Sequence, residues 1–327
     1  MPANLTPQYL KAEQWYKSAT TVEEKILALE EMLRVIPRHK GTEHMRADLR
    51  RKLSSLKDSG GKKAAGGHVD VFHIPRGGAG QIALLGLPNS GKSSIVGLFT
   101  NAKVTIAEFP FSTGAPVPGM MYHEDVPIQL VDLPPYTPEF LMPGQIGTYR
   151  HCDLIAIVVD LSNEPEMQLT TCMEFLESRK LLLDAATPAV DDQGNALGRK
   201  VFCIATKSDL AEAGAVEQLR ASCGYPMEYV PFSAASGEGL DELPAACFRL
   251  LGIVRVYAKR PHEEPDMKEP FTLPVGSTVT DLARVIHRQL AENLKSARIW
   301  GTGVHDGQNV QLTHVLHDKD IIELHFA

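Results

Sequence analysis

The sequence predicts an α/β fold: a mostly parallel sheet with helices on both faces, preceded by a helical hairpin and followed by a small α+β domain. The first observation is a series of short apolar runs that end at polar residues or glycine, as strands buried on both faces do. The second is that helical patterns, notably Glu166–Leu183 and Ala213–Cys223, separate several of them. The runs are Gln81–Leu87, Ile128–Leu133, Leu154–Asp160, Val201–Thr206 and Tyr229–Phe232.

These patterns divide the 327 residues into three predicted parts. Residues 1–66 form a basic helical region, because apolar residues recur at three- and four-residue spacing until Pro37 and again after Thr42. Residues 67–252 hold the alternation of strands and helices, in which ligands bind at the carboxyl ends of the strands. In residues 253–327, short strands surround one helix, expected around Thr280–Leu294, which predicts a small α+β domain.

The composition excludes several classes of protein. Apolar residues make up 43% and charged residues 22% of the chain, which is typical of a globular protein and not of a collagen-like or disordered one. The longest apolar run, Leu154–Val159, is too short to span a bilayer, so no membrane partner is expected. The five cysteines are odd in number and form no CxxC pair, which favours reduced thiols and a cytoplasmic location.

Basic residues are concentrated near the amino terminus, although the formal net charge of the chain is -7. Between Arg34 and Lys63, ten lysines and arginines stand against three acids, so this basic segment carries +7. Such a segment is either a solvated helix face or a patch that contacts the phosphates of structured RNA, and both interpretations stay open here. The acidity of the rest of the chain argues against general nucleic-acid binding, and no DNA partner is expected.

The motif GLPNSGKS at residues 86–93 indicates the class of protein. It fits the pattern G-x-x-x-x-G-K-[ST], directly follows a predicted strand and precedes a helical pattern, the context that a phosphate-binding loop requires. Backbone amides and Lys92 would bind the phosphates, and the hydroxyl of Ser93 would coordinate Mg2+. The predicted contacts are Gly86, Pro88, Asn89, Ser90, Gly91, Lys92, Ser93 and Ser94.

Three later segments favour guanine over adenine nucleotides. Asp132 ends a strand, where an aspartate would hold Mg2+ through water. Residues 206–209, read as TKSD, end another strand and resemble the guanine-reading motif NKxD, with threonine in place of asparagine. The carboxylate of Asp209 could accept hydrogen bonds from the guanine N1–H and exocyclic amine. The base-contacting residues are therefore predicted to be Thr206, Lys207 and Asp209, together with Ser233, Ala234 and Ala235 after the next strand.

A further stretch resembles the Obg-type GTPases. Residues 109–116, read as FPFSTGAP and followed by Gly119, are similar to the switch I signature YPFTT…P…G of that family. The developmentally regulated GTP-binding branch is the nearest match, because its N-terminal region is similar to residues 36–51 and its ubiquitin-like TGS domain to residues 254–324. The resemblance implies GTP and GDP as ligands, Mg2+ as cofactor, and Thr113 as a Mg2+ ligand when the γ-phosphate is present.

Two departures from that family bear on activity. Only 46 residues separate Asp160 and Lys207, so the extra domain that eukaryotic and archaeal members carry inside the GTPase domain is absent. The switch II motif DxPG reads DLPP at residues 132–135, and Pro135 has no backbone N–H to donate to a γ-phosphate. Weak discrimination between GTP and GDP and slow hydrolysis are therefore expected.

Potassium is a further candidate cofactor. Tyr136 follows the switch II motif, so the chain has no glutamine there like that of Ras. Asn89 stands where several related K+-activated GTPases place an asparagine that coordinates potassium against the phosphates, which would substitute for an arginine finger. The alternative is that Asn89 only shapes the loop.

Together these features predict a slow Mg2+-dependent GTPase that cycles between GTP and GDP forms, with Lys92, Thr113 and Asn89 as its catalytic residues. The resemblance implies action on the ribosome or in translation, with the basic segment and the TGS domain as the RNA-facing parts. One alternative, favoured by Pro135, is a pseudo-GTPase scaffold that binds guanine nucleotide and RNA or protein without efficient hydrolysis. The other is an ATPase, which Thr206 would permit.

Overall fold

A computed structural model describes residues 72–100, 115–138, 141–142, 144–183, 198–261 and 263–326, together with scattered positions between 9 and 53. The chain divides into two compact units, Met1–Asp70 and Val71–Ala327. The described positions of the first unit are helical except Ile36, which directly precedes the proline expected to end the first helix. Five of them, namely Tyr9, Leu29, Met32, Ile36 and Leu49, pack into a buried apolar cluster.

The second unit begins with a central domain around a six-stranded sheet. Its strand order is β2-β3-β1-β4-β5-β6, and all neighbours are parallel except the edge strand β2, which pairs antiparallel with β3. The mostly parallel sheet predicted from the apolar runs is confirmed. The strands are β1 Gln81–Leu85, β2 Val117–His123, β3 Val126–Asp132, β4 Leu154–Asp160, β5 Lys200–Thr206 and β6 Tyr229–Phe232.

Helices cover both faces of this sheet. Along β4, alternate residues enter different cores: Ile155 packs with helices α2, α3 and α4, whereas Ala156 packs with α1 and α5. This explains why the strand reads as an unbroken apolar run, since both of its faces exclude water. The helices are α1 Lys92–Phe99, α2 Gln145–His151, α3 Pro165–Ser178, α4 Ala215–Ser222 and α5 Glu242–Leu251.

The C-terminal domain is a five-stranded sheet packed against one amphipathic helix. Strand β7 follows α5 after a single glycine, and the strand order is β10-β9-β11-β7-β8. Thr278 caps helix α6 through a reciprocal hydrogen-bond pair with Asp281, which fixes where this helix begins. The elements are β7 Ile253–Lys259, β8 Phe271–Pro274, α6 Val279–Ile286, α7 Arg288–Ala291, β9 Leu294–Trp300, β10 Gln308–Val310 and β11 Asp320–Phe326.

Two predicted helices are shorter than their patterns suggested. The helix expected around Thr280–Leu294 ends at Ile286, because His287 takes an extended conformation, and Leu294 begins β9 instead. The pattern Glu166–Leu183 supports a helix only to Ser178, after which Lys180 adopts a left-handed conformation with φ 54°. Beyond these ends the chain forms the separate short helix α7 and then β9 in one case, and a bridge between Leu182 and Arg199 in the other, so spacing alone misplaced the ends.

A polar cluster joins the hairpin β2–β3 of the central domain to the C-terminal domain. Arg255 of β7 is buried, and its guanidinium donates to Glu124 at 2.6 Å and Asp125 at 2.7 Å in the hairpin turn. It also donates to Asp318, at 3.0 Å. We call this the junction cluster; it comprises Arg255, Tyr257, Asp318 and Lys319 of the C-terminal domain with Glu124 and Asp125 of the hairpin.

Two further findings concern the whole described chain. Within the described ranges, no helix is both long and apolar enough to cross a membrane. All five cysteines lie in those ranges as free thiols, four of them buried. Burial raises the pKa of Cys152 and of Cys172 to about 12, so these thiols are held in their neutral form. The boundaries predicted near residues 66 and 252 stay predictions.

Candidate nucleotide-binding site

The predicted phosphate loop connects β1 to α1 in a tight turn. Gly86 leaves no room for a side chain, because a Cβ there would lie 2.6 Å from both the Ser90 hydroxyl and the Val158 carbonyl oxygen. Gly91 has φ 95° and forms the N-cap of α1. Asn89 also lies in the left-handed region, with φ 61°, which asparagine tolerates better than most residues. Two glycines and one asparagine therefore shape the loop.

Lys92 is the first residue of α1 and points back into the loop. Its ammonium group donates to the carbonyl oxygens of Gly86 and Leu87, at 3.0 and 2.9 Å, and to the Ser90 hydroxyl at 3.3 Å. Burial lowers the pKa of Lys92 to about 8, although the nearby Asp132 carboxylate acts in the opposite direction. A buried ammonium group at the N-terminus of a helix is suited to an anionic ligand.

The pair Ser93 and Asp132 lies at the carboxyl edge of the sheet. The Ser93 hydroxyl donates to one carboxylate oxygen of Asp132 at 2.6 Å, and Asp132 is fully buried at the end of β3. Its second oxygen is also buried and has no hydrogen-bond partner among the described residues. Burial raises the pKa of Asp132, which the Ser93 hydrogen bond and the Lys92 charge oppose. A hydroxyl beside an unpaired carboxylate oxygen fits Mg2+, which prefers hard oxygen ligands.

The switch II motif continues from Asp132 across the phosphate loop. The backbone amide of Tyr136 donates to the Gly86 carbonyl oxygen at 3.1 Å, and the carbonyl oxygen of Pro134 accepts from the Gln145 side chain at 2.7 Å. Pro135 has no amide to donate. The amide that follows it donates to the loop instead, and the loss of the γ-phosphate donor at Pro135 stays a prediction.

Threonine at position 206 ties the base-reading strand to the phosphate loop. Its hydroxyl lies 2.7 Å from the carbonyl oxygen of Ser90 and 3.0 Å from that of Val159, and its side chain packs against Gly91. Thr206 is buried at the end of β5. Threonine, which stands here in place of the asparagine of the NKxD motif, therefore still connects the strand to the phosphate loop through a hydrogen bond.

The remaining base-side residues are organised by hydrogen bonds. Lys207, with φ 54°, pairs with Asp160 at the end of β4. The Ser233 hydroxyl donates to the exposed carboxylate of Asp209 and accepts from the amides of Ala235 and Ser236 at 3.2 and 3.0 Å. Ala234 and Ala235 are exposed beside it. The predicted base contacts thus lie together on two neighbouring loops.

Sequence reasoning missed two residues of this edge. Asp160 accepts from the backbone and side chain of Ser162, at 2.9 and 2.6 Å, and through its ion pair with Lys207 it connects the loop after β4 to the loop after β5. The signal for it was a polar residue at the end of a buried apolar run. Gln145 had no comparable signal, because its partner Pro134 is eleven residues away across a turn. Thr113 and the rest of residues 101–114 lie outside the described residues, so the predicted switch I threonine stays a prediction.

Comparisons with known proteins agree with this arrangement. Residues 81–186 match the family described as 50S ribosome-binding GTPase, and residues 254–325 match the TGS domain. The solved structure of a GTP-binding protein from Pyrococcus horikoshii OT3 has a TM-score of 0.53 and 14% identity, covering 76% of this chain and 100% of its own. That likeness concerns the fold alone. The central domain is therefore a P-loop GTPase domain, followed by a TGS domain.

Individual relatives match this chain over nearly its whole length and so describe it more closely than the two domain families do. Developmentally-regulated G-protein 2 of Arabidopsis thaliana is 27% identical over 365 residues, covering 92% of this chain and 90% of the relative. Ribosome-interacting GTPase 1 of Saccharomyces cerevisiae is 26% identical over 369 residues, covering 94% and 99%. Over most of its length this chain is thus similar to developmentally regulated GTP-binding proteins, and the predicted resemblance to that branch is confirmed.

Proposed function

We propose that this protein is a Mg2+-dependent GTPase with slow intrinsic turnover that acts on the ribosome or in translation. The observation that carries the catalytic part is the Ser93–Asp132 pair beside the buried ammonium group of Lys92, because one buried carboxylate oxygen of Asp132 has no partner among the described residues. An unsatisfied buried acceptor costs stability, so its retention next to a cation and a phosphate loop indicates a site built for a ligand.

The chain's own residues would bind and orient the nucleotide. Lys92 exchanges its bonds to loop carbonyl oxygens for phosphate oxygens, and the amides at the start of α1 bind the same phosphates. Ser93 and Asp132 are the residues that would hold Mg2+, with Thr113 as a third candidate. When bound, Mg2+ neutralises charge that develops on the β- and γ-phosphates.

Base selection is assigned to the loop after β5. The Asp209 carboxylate would accept from the guanine N1–H and exocyclic amine, while the Ser233 hydroxyl orients that carboxylate. Lys207, Thr206, Ala234 and Ala235 would line the same side of the base. The aromatic surface of guanine then rests against the aliphatic part of Lys207.

Slow hydrolysis follows from the groups around the γ-phosphate. Pro135 supplies no amide, and Tyr136 replaces the glutamine that orients water in Ras. Asn89 is our candidate for a potassium ligand, because its side chain is exposed on the loop. Its left-handed backbone equally suits a purely structural asparagine, so the ion must be tested directly.

A pseudo-GTPase scaffold is the second candidate function. The engagement of the Tyr136 amide with Gly86 favours it, since the donor nearest to Pro135 is already used. In that case the protein would bind GTP and GDP with similar affinities and present RNA- or protein-binding surfaces without efficient hydrolysis.

The test is phosphate release by the purified full-length protein. We expect release from GTP and not from ATP, dependence on Mg2+, and faster release in K+ than in Na+, with Asn89→Ala removing the difference between the salts. Asp209→Asn should weaken the binding of GTP and strengthen that of xanthosine triphosphate, because the asparagine amide donates a hydrogen bond where the aspartate carboxylate only accepts. Nucleotide binding without release would favour the scaffold, and equal use of ATP would overturn the guanine assignment.

The ribosomal part of the proposal has separate support. The matched family is described as ribosome-binding, one relative is named for ribosome interaction, and the basic segment carries exposed Arg50 and Arg51. A ribosomal partner would imply a cytoplasmic location. Reversing Arg46, Arg50 and Arg51 to Glu should reduce co-sedimentation with ribosomes and its salt dependence while nucleotide affinity stays constant. Unchanged co-sedimentation would assign the segment to the solvated-face alternative.

A further inference from the structure

Gln145 is a fully buried side chain that contacts the switch II motif. It is the first residue of α2, and its amide nitrogen donates to the carbonyl oxygen of Pro134 at 2.7 Å. Its amide oxygen lies 3.4 Å from the backbone nitrogen of Met142 and so also faces the chain that leads into the helix. Burying a primary amide costs free energy unless it is hydrogen-bonded, so this contact is specific and not incidental.

Among the described contacts, the other polar attachments of this segment lie at its two ends, where Asp132 accepts from Ser93 and the Tyr136 amide donates to Gly86. Residues 132–136 contain two consecutive prolines, neither of which has an N–H group to donate. A carbonyl oxygen is therefore the natural anchor within the proline pair, and Gln145 provides its donor. The next anchor along the chain is the Tyr136 amide, which donates to Gly86.

Aromatic packing fixes the far end of the same segment. The Tyr136 ring lies 4.4 Å from the Phe175 ring of α3, centroid to centroid, and Phe175 also contacts Tyr149 of α2 at 5.8 Å. The Tyr149 hydroxyl donates to the Leu84 carbonyl oxygen of β1 at 3.3 Å. Helix α2 thus holds both β1 and the proline segment, with Gln145 and Tyr149 on its buried side.

We propose that Gln145 is a positioning residue for the nucleotide site: by holding the Pro134 carbonyl oxygen, it keeps residues 132–136 against the phosphate loop and Asp132 directed at Ser93. The inference rests on the proposed function, because it assigns a purpose to the orientation of Asp132. Because the protein itself holds switch II in this way, Ser93 and Asp132 are already positioned to hold Mg2+ before nucleotide binds.

The matched control is another buried glutamine. Gln129 donates to a proline carbonyl oxygen as well, that of Pro75 at 3.3 Å, but from the middle of β3, and its amide oxygen accepts from Gly77 and Gln81 at 3.1 and 2.9 Å. Gln145→Met and Gln129→Met each remove one amide of similar burial and length. Gln145→Leu serves as a second variant that removes the donor with a different shape.

The experiment measures hydrogen exchange and Mg2+-dependent GDP binding in the full-length protein. In the Gln145 variants, we expect hydrogen exchange of the Tyr136 amide to accelerate about five- to tenfold, because the segment is held less firmly. The Mg2+ concentration needed to slow GDP release should rise by a similar factor, because Asp132 is then less well directed. GDP binding in the presence of EDTA should stay as in the native protein. Gln129→Met should change neither quantity.

Two results would overturn the proposal. One is a folded Gln145 variant in which the Tyr136 amide exchanges and GDP release responds to Mg2+ as in the native protein. The other is a Gln129→Met variant in which both quantities change as much as in the Gln145 variants. Neither readout requires hydrolysis, so a native protein that binds GDP with Mg2+ but releases no phosphate would contradict only the proposed GTPase activity.

Discussion

The nucleotide site and the junction cluster each contain a buried charged group, Asp132 and Arg255, and among the described residues only Arg255 is fully paired. Arg255 meets three carboxylates, and Lys319 pairs with Glu124 at 3.0 Å. At the nucleotide site, by contrast, Asp132 keeps one buried oxygen without a partner among the described residues. Paired charges hold two domains together, whereas an incomplete set is typical of a site that awaits a ligand.

The pKa of an aspartate in each region reflects this difference in pairing. Burial raises the pKa of Asp132, because the hydrogen bond from Ser93 and the charge of Lys92 do not compensate for it. At the junction, burial also acts to raise the pKa of Asp125, but hydrogen bonds from Tyr257 and Arg255 outweigh it and the pKa is lowered. The junction therefore stabilises the charged form that the nucleotide site penalises.

The largest effect should follow from opening the junction cluster. Arg255→Met leaves three carboxylates without their common cation and should lower the free energy of unfolding by about 3 kcal/mol, since it removes several hydrogen bonds between charged groups, each contributing roughly 1.5–3 kcal/mol. Denaturant unfolding measures this, and GDP affinity should stay constant. Arg249→Met removes an exposed pair with Glu228 and should cost under about 1 kcal/mol. Equal losses in the two variants would show that the junction cluster contributes no more than an exposed ion pair.

An intermediate effect should follow from adding a donor at the nucleotide site. Pro135→Gly restores an amide beside the γ-phosphate, and a hydrogen bond to a charged group contributes roughly 1.5–3 kcal/mol. Binding of a non-hydrolysable GTP analogue should tighten by about one to two orders of magnitude, with GDP affinity nearly constant. Pro138→Gly, at an exposed position, is the control. A native protein that already prefers the analogue strongly would show that other groups replace the missing amide.

The smallest effect is in the pH dependence of stability, where the two regions should act with opposite sign. Because the pKa of Asp132 is raised on folding, its contribution favours the folded state at acid pH and is lost as the pH rises through the folded pKa. The lowered pKa of Asp125 gives stability above its unfolded pKa that is lost as the pH falls. Asp132→Asn should therefore steepen the loss of stability in acid, and Asp125→Asn should flatten it. Parallel curves for the two variants would contradict this.

Much of the central domain could be predicted from local patterns. Strands β4 and β6 begin and end where their apolar runs do, and the phosphate loop lies between a strand and a helix as its motif requires. Strand β2 and helices α2 and α5 were not predicted. Strand β2 contains Pro118 and Gly119, and proline and glycine are depleted in strands. Both residues are tolerated here because β2 forms the edge of the sheet.

Within the candidate site, sequence determined the residue types and tertiary structure decided their partners. The spacing of GLPNSGKS, TKSD and the aspartate at position 132 is local, so it could be recognised without coordinates. The contact of Thr206 with Ser90 spans 116 residues, and that of Arg255 with Asp125 spans 130. Such contacts depend on which strands become neighbours in the sheets, and no local propensity encodes that.

The sequence alone therefore determined a P-loop GTPase domain followed by a TGS domain and the loss of the switch II glycine amide. Only the tertiary structure decided that one Asp132 oxygen lacks a partner among the described residues, that Gln145 holds the proline segment, and that Arg255 joins the two domains. The physical reason is that motifs and periodicity act over one turn or strand. Burial and pairing of polar groups are decided by the packing of distant segments, which sets the free-energy cost of each unsatisfied atom.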